Sequence, residues 1–228
     1  GFPSGSMEWY LPKLDLEYYD YNSGISAQNV SDVAATMMIT FTMGGTEYPV
    51  HTSDPIGPGQ TWQIYMPNEA TTGLPAALTG VTGSAILSSD QEAVVTVSNL
   101  NAADGHDFLY NGAASEAGTS TVLFPKFDKN FTADNWVGGI QVQNLGDAPT
   151  NMIATFSGGG MATDVTITKG PVDPGASEYW FNPDELPDGF NGSVTVVSES
   201  GGNIAGVYTG RNDNLVGDTV GCYEGIQK

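Results

Sequence analysis

Apolar and polar residues alternate over much of this chain. In the segment from Ala35 to Met43 every odd-numbered position is apolar, and threonine occupies positions 36, 40 and 42. A later segment, Met152 to Phe156, keeps Met, Ala and Phe on the matching face. A period of two places successive side chains on opposite faces of a β-strand, one buried and one in contact with water. The pattern therefore predicts strands in both parts of the chain.

Turn sequences separate these strand-like segments. Examples are Gly44-Gly45, Pro58-Gly59, Asp188-Gly189 and Gly201-Gly202. Glycine and proline supply the backbone angles that tight turns require. The chain shows no amphipathic helical pattern, and without helical crossovers neighbouring strands have to pair antiparallel. The sequence therefore predicts an all-β fold of the sandwich type.

The sequence also repeats itself with a period of about 113 residues. Leu11-Pro12-Lys13-Leu14-Asp15 returns as Phe124-Pro125-Lys126-Phe127-Asp128. Further matched pairs are Gly24-Ile25 with Gly139-Ile140, Gln28-Asn29 with Gln143-Asn144, Pro58-Gly59 with Pro174-Gly175, Leu74-Pro75 with Leu186-Pro187, Gly83-Ser84 with Gly192-Ser193, and Tyr110-Asn111-Gly112 with Tyr223-Glu224-Gly225. A nearly fixed period with small changes in loop length indicates two copies of one unit. We predict two tandem antiparallel β-sandwich domains of about seven strands each, at residues 1–113 and 114–228.

The net negative charge of the chain disfavours anionic partners. The chain carries 26 Asp and Glu against six Lys and Arg, a net charge of −20, and the acids are spread over both copies. Such a surface repels the phosphates of nucleic acids and of anionic membranes, so we expect neither as a partner. No run of 18 apolar residues occurs, so we also expect no membrane insertion.

The remaining composition is typical of an exported protein. Only 14% of residues are charged, whereas hydroxyl and amide side chains are abundant. We therefore predict an extracellular or cell-surface location. The single cysteine, Cys222, cannot form an internal disulfide, and it aligns with Leu109 of the first copy as a small apolar residue.

Residues for catalysis are few. Neither His51 nor His106 has a counterpart in the other copy, and His106 lies in a sequence typical of a polar turn. The chain has no Gly-x-Ser-x-Gly nucleophile motif and no metal-ligand spacing of Cys and His. We predict that the protein is not an enzyme and requires no cofactor.

Two matching acidic loops are candidates for calcium binding. The candidate ligands are Asp15, Glu17 and Asp20 in the first loop, and Asp128 and Asp134 in the second. Calcium takes about six to eight oxygen ligands, which such loops and their carbonyls could supply. Neither loop matches the Asp-x-Asx-x-Asx-Gly pattern, so two solvated acidic loops without a metal are the alternative that the sequence leaves open.

Three Asn-x-Ser/Thr sequons, at Asn29, Asn130 and Asn191, are candidate glycosylation sites. A chain so rich in Asn, Ser and Thr contains about two or three such sequons by chance. The sequons fit an extracellular setting and leave the presence of glycans open.

The repeated elements resemble the tandem immunoglobulin-like β-sandwich repeats of uncharacterised bacterial cell-surface and filament proteins. The similarity lies in the Pro-Lys segment, the Gly-Ile-x-x-Gln-Asn element, the Pro-Gly turn, the Leu-Pro and Gly-Ser pairs, and the final Tyr-x-Gly. It covers nearly the whole chain. The resemblance implies immunoglobulin-like domains with an exported, non-catalytic, array-forming role, and it supplies no binding residue.

These observations predict a structural subunit of an extracellular filament or surface layer. When the sequence is shifted by its 113-residue period, the first and last residues align with the boundary between the two copies. We therefore expect head-to-tail assembly with copies of the same chain. The predicted assembly contacts are Phe2, Trp9, Tyr10 and Leu11, with Leu123 and Phe124 in the corresponding place inside the chain.

The alternative function is a secreted adhesin or carbohydrate-binding module with glycans as partners. Tyr18 and Tyr19 would then stack on sugar rings. Aromatic residues at matched places, such as Tyr21 and Trp136, are instead typical of a sandwich core.

Overall fold

The protein is built almost entirely from antiparallel β-strands. The computed structural model describes residues 5–212, 214–215 and 220–228. Strands account for 62% of residues and helices for 3%, so the all-β prediction is confirmed. The strands of the first half are β1 (Ser6–Tyr18), β2 (Tyr21–Asn29), β3 (Met37–Met43), β4 (Thr46–Glu47), β5 (His51–Thr52), β6 (Thr61–Tyr65), β7 (Val81–Asn101), β8 (His106–Asn111) and β9 (Ala113–Ala114).

The second half follows a short connection. Its strands are β10 (Thr121–Lys129), β11 (Val137–Asn144), β12 (Thr150–Gly158), β13 (Val165–Val172), β14 (Ser177–Phe181), β15 (Phe190–Ser198), β16 (Ile204–Arg211), β17 (Val220–Glu224) and β18 (Ile226–Gln227). One turn of helix, α1 (Glu69–Thr72), and one 3-10 turn (Ser115–Ala117) complete the elements. In the described residues no helix is long and apolar enough to cross a membrane.

In the first half one long strand joins two sheet layers. The beginning of β7 pairs with β1 and β3, and its end pairs with β2 and β8. β6 lies beside β2, β4 and β5 lie beside β3, and β9 lies beside β1. Side chains from both layers meet in one core, which includes Leu11, Ile25, Phe41, Leu87 and Val95. The arrangement is sandwich-like.

The second half repeats these pairings with two separate sheets. Their strand orders are β13-β12-β15-β10-β18 and β14-β11-β16-β17. β10 takes the place of β1, and β15 and β16 take the places of the two parts of β7. A turn through Gly201, whose φ is +75°, separates β15 from β16. Because Ser89-Asp90-Gln91 contains no glycine or proline, β7 continues through this segment as one strand.

A bulge recurs at the Pro-Lys segment of each half. The register between β1 and β7 shifts between Leu11 and Leu14, and that between β10 and β15 shifts between Phe124 and Phe127. All four of these side chains are fully buried. The matched motif that revealed the repeat in the sequence is therefore a matched bulge whose flanking residues fill the two cores.

A tyrosine closes each bulge by the same pair of hydrogen bonds. The hydroxyl of Tyr110 accepts from the Lys13 backbone N–H at 3.1 Å and donates to the Lys13 carbonyl at 2.5 Å. The hydroxyl of Tyr223 contacts Lys126 in the same way, at 3.1 and 2.7 Å. The repeated Tyr-x-Gly therefore supports the backbone of the scaffold, since a bulge leaves ladder groups without their usual partners.

Candidate functional site

The two halves contact each other through sheet faces. β1 of the first half lies against β11 and β16 of the second, and β7 lies against β14. Leu145 and Ala205 form a small apolar cluster with Tyr10, and Ile86 packs against it. Val207 enters the core of the first half. We call this buried region the junction, and it is the best-defined candidate functional site of the molecule.

Two buried glutamines cross the junction from β11. Alternation along this strand directs Ile140 and Val142 into the core of the second half, and Gln141 and Gln143 lie on the opposite face. The Nε2 of Gln141 donates to the Gly83 carbonyl at 2.9 Å. Buried amides of this kind fix the register of the contact, because a displaced amide would lose its partner without gaining water.

The second glutamine is part of a hydrogen-bond group of four residues. Gln143 is completely buried, and its Nε2 donates to the carbonyls of Ala85, at 3.0 Å, and Gly175, at 2.7 Å. The hydroxyl of Ser84 donates to the same Gly175 carbonyl at 2.8 Å. The turn at Gly175 is thereby held against β7 of the other half.

A buried ion pair lies at one end of the junction. The Nζ of Lys13 is 2.5 Å from Oδ1 of Asp15, and the two side chains are 4% and 2% exposed. The same Nζ lies 4.5 Å from the centre of the Tyr179 ring and 5.3 Å from that of Tyr18. Burial, and to a smaller extent the charge of Asp15, raise the pKa of the Tyr179 hydroxyl. The Tyr179 side chain that contacts the Lys13 ammonium is therefore uncharged. This cation–π contact links β1 to β14 of the other half.

A second cation fills the space beside this pair. The guanidinium of Arg211 lies 5.2 Å from the centres of both the Tyr19 and the Phe181 rings. The cavity left among these side chains is about 30 Å³. That volume holds about two water molecules. The aromatic cluster therefore packs the two halves together.

A larger cavity lies at the other end of the junction, between β1, β9 and β16. Its volume is about 380 Å³, and its lining includes Trp9, Pro12, Ala114 and Val207. The size falls within the range of small-molecule sites. Its lining is mainly alanine, glycine and other apolar residues, with four polar residues, Asn111, Glu116, Glu224 and Gln227.

The predicted assembly residues need correction, because most of them are buried inside this chain. Trp9 is 3%, Tyr10 9% and Leu11 0% exposed. The cause is that β1 is an interior strand of its sheet, paired with β7, β2 and β9, instead of a projecting arm. Phe124 is likewise fully buried. Phe2 lies outside the described residues.

The structure does not gather the predicted calcium ligands into one site. Asp15 is paired with Lys13, and Asp128 is fully buried and contacts Lys126 at 3.1 Å. Glu17 accepts a hydrogen bond from the Thr79 hydroxyl. Asp20 and Asp134 are exposed. Among the described residues no group of three or more His, Cys, Asp or Glu side chains is placed to hold a metal ion.

The three sequons differ in accessibility. Asn29 is fully buried, and its Nδ2 donates to the carbonyls of Val33 and Ile56 at 2.7 and 2.9 Å, so a glycan there is incompatible with this fold. Asn130 and Asn191 lie nearer the surface. Glycosylation of these two residues stays a prediction.

The two histidines lie apart and contact aromatic side chains. His106 is 3% exposed, and its Nδ1 is 3.1 Å from the Tyr21 hydroxyl. The ring is thus buried, whereas the sequence predicted a polar turn. The ring of His51 stacks on that of Trp62, with centres 5.8 Å apart.

Sequence reasoning missed the junction glutamines. A signal for them existed in the comparison of outward positions between the copies. Where the first copy has Ser26, Gln63 and Thr96, the second has Gln141, Tyr179 and Val207, which are larger or more apolar. A face that gains such residues in one copy alone is a face that becomes covered.

Comparison with known proteins does not assign this chain to a family. No family model and no curated protein matches this chain. Among solved structures, the crystal structure of Thermotoga maritima 1070 is similar at 20% sequence identity, over 48% of this chain and 95% of that chain, with a TM-score of 0.39. A likeness of this size carries no functional argument, so function has to be argued from the surfaces of this molecule.

Proposed function

We propose that this protein is a structural subunit of an extracellular filament or surface layer. It would consist of two immunoglobulin-like β-sandwich domains in tandem and assemble head to tail with copies of itself. The recurrence of most strand pairings in the two halves supports the tandem arrangement. The composition, with few charged residues and abundant hydroxyl and amide side chains, supports an extracellular setting.

One observation carries the assembly proposal: two exposed sheet faces have few exposed carboxylates in a chain of net charge −20, although exposed Asp107 of β8 lies beside Leu100 at the margin of the first face. No Asp or Glu occurs in β2, β6 or residues 93–101 of β7 in the first half, or in β12 and β15 of the second. The one acid of β10, Asp128, is fully buried.

These faces also expose apolar side chains. Tyr65, Leu100 and Leu109 are 49%, 44% and 60% exposed on the first half, and Val197 and Ile226 are 37% and 55% exposed on the second. Copies of an acidic protein repel each other unless they meet through neutral surfaces. The two faces are therefore where copies would meet.

The alternative, an adhesin or carbohydrate-binding module, has less support. It relied on open faces of Tyr18 and Tyr19. Tyr18 contacts Lys13 and Tyr179, and Tyr19 contacts Arg211 and Phe181. A sugar ring on Tyr18 would have to displace these contacts, whereas Tyr19 is 55% exposed.

Sedimentation velocity and negative-stain electron microscopy test the proposal. Protein from low to high micromolar concentration is compared at several sodium chloride concentrations, with and without calcium. We expect assembly that increases with protein concentration and with salt, since salt screens the repulsion between acidic subunits. Strictly monomeric particles under all of these conditions would contradict the proposal.

A further inference from the structure

Each half exposes a sheet face whose counterpart in the other half is buried at the junction. We define the Gln28 face as the outward side of β2, β6 and residues 93–101 of β7. We define the Ser193 face as the outward side of β10, β12 and β15. Gln143 and Ser84 are the counterparts of Gln28 and Ser193, and both are fully buried.

The strand registers establish which positions correspond on the Gln28 face. Ile25 pairs with Val97, as Ile140 pairs with Tyr208. Gln28 lies three residues after Ile25, and Gln143 lies three residues after Ile140, so Gln28 corresponds to Gln143. By the same count, Val94 corresponds to Ala205, and Val30 to Leu145.

Gln28 already has the local geometry of its buried counterpart. Its Nε2 donates to the Gly59 carbonyl at 2.9 Å, as that of Gln143 donates to the Gly175 carbonyl at 2.7 Å. Gly59 and Gly175 adopt similar left-handed conformations, with φ of +71° and +77°. The difference lies in the surroundings, because Gln28 is exposed whereas Gln143 also reaches a strand of the other half.

The Ser193 face offers the matching acceptors. Val194 pairs with Phe124 as Ala85 pairs with Leu11, so Ser193 corresponds to Ser84. The carbonyls of residues 192 and 194 consequently occupy the positions of the two carbonyls that accept from the junction glutamines. Ser193 is only partly buried in the single chain.

We propose that the Ser193 face of one molecule docks on the Gln28 face of the next and repeats the junction between molecules. This inference rests on the proposed assembly function and names its surfaces. In this contact Gln28 donates to the carbonyl of Val194 of the neighbouring copy, and Ser193 of that copy donates to the Gly59 carbonyl. Because the two faces differ, the contact is heterologous and open-ended, as a filament requires.

The contact between molecules is weaker than the junction. Tyr179 and Arg211 of the junction correspond to Gln63 and Leu100 on the Gln28 face, so the two cation–π contacts with Tyr179 and Arg211 are absent. Ser26 replaces Gln141 and removes one buried amide. The assembly is therefore reversible and depends on concentration.

Substitutions at position 94 of one copy and position 195 of the neighbouring copy test the proposed contact. At the junction Ala205 and Ile86 belong to one apolar contact, and they correspond to Val94 and Thr195. The double variant Val94→Glu with Thr195→Glu places two carboxylates opposite each other. The matched double variant Val94→Glu with Thr195→Lys places an ion pair at the same positions. Ala76→Glu, in a loop outside both faces, is the control for added charge.

Sedimentation velocity measures the concentration of half-assembly for each folded variant, with far-UV circular dichroism and thermal unfolding as checks of the fold. We expect the Glu/Glu variant to raise this concentration by more than about tenfold, because opposed like charges disfavour association. The Glu/Lys variant and Ala76→Glu should remain close to the parent protein.

The outcomes separate the inference from the proposed function. If the parent protein does not assemble, both are overturned. If it assembles and the folded Glu/Glu variant assembles equally well, the two faces are wrong whereas the assembly function stands. If the Glu/Glu and Glu/Lys variants lose assembly alike while Ala76→Glu keeps it, the assignment of position 195 opposite position 94 is overturned.

Discussion

At the scale of single residues, the two Pro-Lys segments show how one motif acquires two roles. Lys13 and Lys126 are matched in sequence, and each pairs with the aspartate two positions later. The side chain of Lys13 is 4% exposed because the second half covers it, whereas that of Lys126 is 53% exposed. The sequence identifies the repeat, but it does not tell which copy of the lysine is buried.

This difference predicts unequal costs of substitution. Lys13→Met leaves Asp15 buried without its partner and should lower the free energy of unfolding by about 3–5 kcal/mol. Lys126→Met removes an ion pair whose lysine is 53% exposed, and buried Asp128 keeps the hydrogen bonds that Asn191 and Tyr208 donate to it, so the loss should be smaller than for Lys13→Met. Urea unfolding followed by circular dichroism measures both. Equal losses for the two variants would show that the junction does not bury Lys13.

The single thiol reports on the same region. Burial, and next the charge of Glu224, raise the pKa of Cys222 from about 9 to about 12. The thiol is therefore protonated and unreactive at pH 8, since the thiolate is the nucleophile. We expect Ellman's reagent to label it slowly in the native protein and rapidly in denaturant. Rapid labelling without denaturant at pH 8 would be inconsistent with the packed junction.

The same shift has a consequence for stability at alkaline pH. Between pH 9 and 12 the unfolded chain loses the Cys222 proton while the folded chain retains it, so the free energy of unfolding falls as pH rises. Tyr10 and Tyr223, whose pKa values burial raises from about 10 to about 12, act in the same direction. Thermal unfolding should show a falling melting temperature through this window, and a constant one would argue against these shifts.

At the scale of elements, the Gly-Ser pairs show why small residues recur at matched places. A Cβ on Gly83 would meet the Thr42 carbonyl oxygen, and one on Gly192 would meet the Ser157 carbonyl oxygen. Neither glycine has a positive φ, so the requirement is one of space between neighbouring strands instead of backbone angle.

This requirement predicts the effect of one added methyl group. Gly192→Ala should destabilise the protein by about 1–3 kcal/mol through overpacking. Gly221→Ala is the matched control, because a Cβ on this strand glycine meets nothing within 4 Å. Differential scanning calorimetry should show a lower melting temperature for Gly192→Ala alone. Similar melting temperatures for the two variants would contradict the steric account.

Much of the element structure could be predicted, and the exceptions have physical reasons. The alternation of apolar and polar residues predicted β3 and β12, because each has one buried face. It could not place β4, β5, β9 and β18, because two residues are too few to show a period. β7 continues as one strand although Gln91 interrupts its run of buried odd-numbered positions.

At the scale of the whole molecule, the repeat was predictable but the junction was not. A period of two indicates which face of a strand is outward, and it says nothing about what covers that face. Gln141 and Gln143 therefore have the sequence pattern of surface residues although both are buried. The sequence pattern also does not show whether a strand is inside its sheet or at its edge. The predicted assembly residues of β1 are buried because β1 lies inside its sheet.

The central claim is that the contact between the two halves recurs between molecules. Helical reconstruction by cryo-electron microscopy of the assembled protein tests it most directly. We expect the rotation and translation that relate the first half to the second within a molecule to relate the second half to the first half of the next, with Gln28 buried against residues 192–194. Assemblies that leave Gln28 and Ser193 exposed, or in which the two transformations differ, would contradict the claim.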